Sequence, residues 1–206
     1  MTPPSFDTAL PTITASAATV TAGRAVAPGP LSTTRVETDA APRIGAGEVR
    51  YVWAFARLCL GWTFLWPFLD KLIGLGHETP SAASWLNGGN PTKGFLSGSI
   101  GPFSGIYHSI AGDTVVNVLF MAGLLVIGSG LLLGVYMRFA CAAGALMLIL
   151  MWSASLPPAN NVFLDEHIIY ATLLAGLALV GADRTLGLGG RWSRLPLVSR
   201  HHRWLG

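Results

Sequence analysis

The side chains with the most chemical capacity in this chain are consecutive: Asp165, Glu166 and His167, with Tyr170 one helical turn beyond Glu166. Histidine can take up or release a proton near neutrality, and a carboxylate beside it can orient it. A second charged pair, Asp70 and Lys71, stands far upstream. Both sets border long apolar runs, where charge is costly and usually faces an interior or a cavity. Two arrangements fit the segment from Asn160 to Arg184. In one, Asp165 caps a helix, Glu166 favours the positive end of its dipole, and all three residues lie among lipid headgroups. In the other, Glu166 and His167 turn inward and meet Asp70 and Lys71 in a polar pocket able to exchange protons with a quinone-like ring. Tyr170 would line the same face, and Trp62, Trp66, Phe68 and Asn161 would complete the lining.

Other chemistries find little purchase. The histidines are His77, His108, His167, His201 and His202, and no H-E-x-x-H helix or Cys/His cluster exists among them. Neither a metal nor a haem is expected. Cys59 and Cys141 form no C-x-x-C pair and read as small packing residues rather than a thiol relay. No glycine-rich dinucleotide fingerprint lies between a strand and a helix. Electrons, if this chain handles them, are expected from another subunit or from a bound substrate.

The elements that must position these residues are membrane spans. Only 11% of the 206 residues are charged and 51% are hydrophobic, whereas soluble domains carry about 25% charged residues. Apolar runs cover residues 49–73, 114–136, 139–156 and 164–182, near the length needed to cross a bilayer. Their continuity predicts an all-α integral membrane protein, a bundle of four transmembrane helices. Residues 1–48 are rich in Thr, Ala and Pro and are expected to be a disordered cytoplasmic arm. No early hydrophobic core marks a cleavable signal, so the first span is expected to direct insertion. Arginines precede the first run, occupy the second turn (Arg138) and follow the fourth run; the other two loops hold only Lys93, with Lys71 at an edge. Both termini are therefore expected in the cytoplasm of a prokaryotic cell, the protein being multi-pass in its plasma membrane. Residues 184–206 read as a basic, lipid-anchoring tail, and the net charge of +3 gives no reason to expect nucleic acid as a partner.

The first outer loop, residues 74–113, is too long for a hairpin. Ser81 after Pro80, and Asn90 before Pro91, are helix-start signals, and "GPFSGIYHSIAGD" reads as another interfacial segment. Short helices over the outer mouth are expected. Arg57 lies 13 residues before Asp70, and Asp183 17 residues after Glu166. Rises of about 20 and 25 Å place Arg57 and Asp183 at similar depth and predict a structural ion pair. Gly130 with Gly134, Ala140 with Gly144, and Ala171 with Ala175 are small residues at four-residue spacing that allow close helix approach.

Three segments, "RLCLGWTFLWPFLDKLIG", "NPTKGFL" followed by "GPF", and "LDEHIIYA" with "GADRTLGL", together resemble the DoxX/DoxD-like membrane proteins, nearest to the DoxD-type subunit of thiosulfate:quinone oxidoreductase. The resemblance runs from about Arg50 to Trp192. It implies a four-helix membrane subunit that works with a small, separate DoxA-like or other soluble redox partner. It also implies oxidation of thiosulfate, or another small sulfur compound, with membrane quinone as acceptor. Other relatives imply an alternative, a non-catalytic membrane scaffold for a redox or oxidative-stress complex.

Overall fold

The computed structural model describes residues 45–195 and Val198. The expected arm up to residue 44, and the tail beyond Leu195 apart from Val198, lie outside the described residues. Every regular element among the described residues is helical.

The first helix, α1 (Ala46–Ile73), begins three residues before the apolar run does. Its inward face is Ala54, Arg57, Leu60, Gly61 and Phe64, all buried, spaced three or four apart as one helix face requires. The outer loop follows with two 3-10 turns (Ser81–Ala83 and Trp85–Asn87) and two short helices, α2 (Lys93–Ser97) and α3 (Ser104–Ile110). Next come α4 (Thr114–Leu133), α5 (Met137–Ala154) and α6 (Glu166–Val180), then a 3-10 turn (Ala182–Arg184) and a last short helix, α7 (Gly189–Trp192).

α1 packs chiefly on α4, α4 on α5 and α5 on α6, while a lighter contact of α6 with α1 closes the ring. Lipid offers little hydrophobic drive for helix association, so close van der Waals approach must hold the ring together. Glycines supply it. A Cβ on Gly61 would lie 2.9 Å from Leu132, and one on Gly128 would lie 2.8 Å from the Leu65 backbone. These contacts make α1 and α4 antiparallel neighbours. A Cβ on Gly144 would crowd Leu174, Ile127 and Phe64 together, where three other helices meet. Between the helices the core is aliphatic: Leu60, Leu124, Ile127, Leu131, Leu148, Leu174 and Leu177. Gly130 has a different use from the one expected, since its bare face admits the Tyr136 ring of the α4–α5 turn rather than a helix.

Three helices, α1, α4 and α5, are long and apolar enough to cross a membrane. The fourth run is corrected in length. α6 has 15 residues, about 22 Å of helix against a hydrocarbon core of about 30 Å. Asp165 caps its start by accepting from the His167 N–H, and Gly181, left-handed at φ 63°, stops it early. The loop helices form where the sequence places them, with one shift. Asn90–Pro91 opens no helix; α2 starts at Lys93 with Thr92 before it. Asn90 instead accepts from Asn117 Nδ2 of α4 (2.9 Å), and Thr92 gives both its N–H and its hydroxyl to Asn117 Oδ1. That cluster, buried at Thr92 and Asn117, fixes the loop to the top of α4.

Candidate functional site

α1 ends at Gly74, whose left-handed φ of 71° costs glycine nothing. A Cβ there would also come within 2.5 Å of Ser81 Cα, so the loop can fold back closely only over a glycine. It folds back onto Asp70, which is 2% exposed. The carboxylate accepts three successive backbone N–H groups: His77 to Oδ1 (3.3 Å), Glu78 to Oδ2 (3.2 Å) and Thr79 to Oδ2 (2.9 Å). Lys71 Nζ pairs with Glu78 at 3.1 Å across the same fold. A buried carboxylate is tolerable when amides point at it in this way.

The result is to set His77 against α1. Its ring meets Trp66 edge-on at 5.2 Å, and Trp66 meets Trp62 at 5.7 Å in a tilted pair. Trp62, Thr63, Trp66, Pro67 and His77 line an open groove of about 530 Å³. Trp62 and Trp66 share a face because they are four residues apart, as are Thr63 and Pro67. Pro67 has no N–H to offer the carbonyl of Thr63, which removes one helical hydrogen bond beside the groove. The groove combines flat aromatic walls, an imidazole and a helix turn that lacks one backbone hydrogen bond. That is a lining suited to a planar, weakly polar ring.

The other buried charge in α1 is Arg57, at 0% exposure. The expected Arg57–Asp183 ion pair is corrected: the guanidinium gives its hydrogen bonds to main-chain carbonyls. Nη1 donates to Leu131 and to Leu132 (3.1 Å), and Nη2 to Leu186 (2.8 Å) and Thr185 (3.4 Å). Leu131 and Leu132 are in the last turn of α4, whose carbonyls lack helical partners and carry the negative end of the dipole. Asp183 contributes a longer-range attraction, and its side chain lies against Gly189 at the start of α7, where a Cβ would meet Oδ2 at 2.6 Å.

The pocket expected from Glu166, His167, Asp70 and Lys71 does not assemble. No hydrogen bond or ion pair joins the two sets among the described residues. His167 Nδ1 meets Asp165 Oδ2 at 2.9 Å, part-buried, while Glu166 is exposed. Asp165 caps the helix, as the first of the two arrangements has it. Asp165, Glu166 and His167 do place one ligand atom each within 4.8 Å of one another, a consequence of adjacency at a helix start. Tyr170 and Phe68 pack on the aliphatic core instead of lining a slot. Asn161 is exposed and, among the described residues, accepts only from the Val162 N–H. Trp62 and Trp66 stand together, but on this open groove with His77 and not in a pocket with Glu166 and His167. His77, Thr63 and Pro67 were missed. The four-residue spacing of Thr63 and Pro67 beside the tryptophans was a signal; His77 gave none, because only the folded loop brings it there.

The fold and site together define an all-helical, multi-pass membrane protein with a polar fold-back at one end of α1. Comparison with family models, with curated proteins and with solved structures finds no match.

Proposed function

We propose that this chain is the membrane subunit of a quinone-linked oxidoreductase, related to the DoxX/DoxD-like proteins that its segments resemble, and that the Trp62–Trp66–His77 groove receives the quinone ring. The observation that carries the reading is the aromatic row around an open groove at one end of a membrane-length helix. Indole faces stack on a quinone, and an imidazole can donate to a ring oxygen or move a proton. In the same reading α6 and the turn after it complete a fourth crossing. Both termini are cytoplasmic, following the arginines, and the membrane is the prokaryotic plasma membrane.

Thiosulfate is the donor that the resemblance favours. Two thiosulfate ions join through a new S–S bond as tetrathionate, and the two electrons released convert quinone to quinol with uptake of two protons. A separate DoxA-like or other soluble redox subunit would meet the sulfur compound, since Lys93 and Lys71 offer little positive charge for a dianion on the outer loop. A scaffold without catalysis is the second reading, favoured by the tail segment that docks on the α4–α5 turn and exposes Arg184, Arg191 and Arg194.

The test is titration of the purified chain with a short-chain quinone, followed by quenching of tryptophan fluorescence. Saturable binding is expected. Trp66→Leu should weaken it about tenfold, and His77→Ala about fivefold, the size of one stacking contact and one hydrogen bond. Binding that is absent, or indifferent to both changes, would favour the scaffold.

A further inference from the structure

A second open groove, of about 320 Å³, lies at the other end of the bundle and is lined by Val135, Leu188, Arg191, Trp192 and Leu195. The segment forming it is anchored at several points. Leu188 N–H donates to Leu133 O at 2.8 Å. Trp192 meets Tyr136 edge-on at 6.0 Å, and Tyr136 in turn hydrogen-bonds Ser129 and the Val126 carbonyl. Gly189 is buried against Asp183. The groove thus has an apolar floor between the ends of two span-length helices, α4 and α5, and one exposed guanidinium at its rim.

We propose that this groove binds an anionic phospholipid, with an acyl chain along Val135, Leu188 and Leu195 and the phosphate on Arg191. Three observations select that occupant. The ends of α4 and α5 set the groove at the level where hydrocarbon gives way to headgroups. Trp192 is the residue type that favours this boundary. Arg191 and Arg194 are both exposed on this segment and favour a negative headgroup there. A guanidinium presents a planar fork that matches two phosphate oxygens. The site is independent of the quinone groove.

The experiment is native mass spectrometry of the full chain, released from detergent doped with equal phosphatidylglycerol and phosphatidylcholine. One phosphatidylglycerol per chain should be retained about fivefold over phosphatidylcholine, the gain from one basic residue at an anionic surface. Arg191→Gln should reduce retention to the phosphatidylcholine level. Arg184→Gln, exposed on the same segment but outside the groove, should leave it unchanged. Arg191→Lys should retain an intermediate preference. Equal retention of the two lipids would overturn the proposal. So would equal losses in the Arg191 and Arg184 variants, the signature of diffuse attraction, or full displacement by millimolar inorganic phosphate, which would leave the apolar floor without a role.

Discussion

α1 buries one charge toward each end, and in neither case is the partner an opposite charge in direct contact. Arg57 is held by four carbonyls and Asp70 by three amides. The symmetry stops there. Arg57 joins parts that are otherwise well fixed: the end of α4 and the chain leaving α6. Asp70 holds the start of a loop that is also tied by Lys71–Glu78 and, further on, by Thr92 and Asn90 to Asn117, and that start brings His77 to an open groove. The first arrangement closes a structure and the second presents one. A buried charge therefore does not of itself mark a reactive site; what its backbone partners carry with them decides.

Three substitutions bear on this contrast. Arg57→Leu should have the largest effect, a loss of about 3–5 kcal/mol, since two or more charge-assisted hydrogen bonds at about 1.5–3 kcal/mol each disappear and their carbonyls stay buried. Thermal unfolding in detergent would show it, and an unchanged midpoint would remove Arg57 as the clasp of that end. Asp70→Asn should cost less, about 1–3 kcal/mol, because the amide oxygen still accepts while its NH2 opposes the loop's N–H groups. Hydrogen exchange at residues 77–79 should accelerate, and quinone affinity should fall more than stability does. If affinity held while exchange rose, the loop would not be positioning His77. Glu166→Gln should do least. An exposed side chain in no network lies within about 0.5 kcal/mol of neutral, and quinone titration should match the parent. A large loss there would return the chemistry to the start of α6.

The long helices were legible because hydropathy states them directly, and so was the Asp165 cap, a local pattern. The length of α6 was not, since Gly181 inside an apolar run looks like one more packing glycine until its φ is known. The partners of Arg57 and Asp70 were misread for a physical reason. Sequence reading pairs acids with bases because side chains have names, whereas a carbonyl or an amide has the same identity at every residue. The sequence reading pairs Arg57 with Asp183, and one of its two arrangements brings Glu166 and His167 to Asp70 and Lys71, whereas main-chain groups hold both Arg57 and Asp70. The four-residue spacing of Trp62 and Trp66 puts them on one helix face, but not beside the Glu166–His167 pocket with which the sequence reading groups them. His77 depended on a fold-back whose only sequence mark was Gly74.

The grip on Asp70 comes from the backbone of residues 77–79, so the stretch from Asp70 to Thr79 is fixed in length more firmly than in content. A deletion or insertion there would slide the amides off the carboxylate. A different side chain at position 77 would leave the amide in place and alter only what faces the tryptophans. The loop thus works as an exchangeable fitting on a fixed mount, and the preference of the groove could be retuned at a single position without rebuilding the helices beneath it.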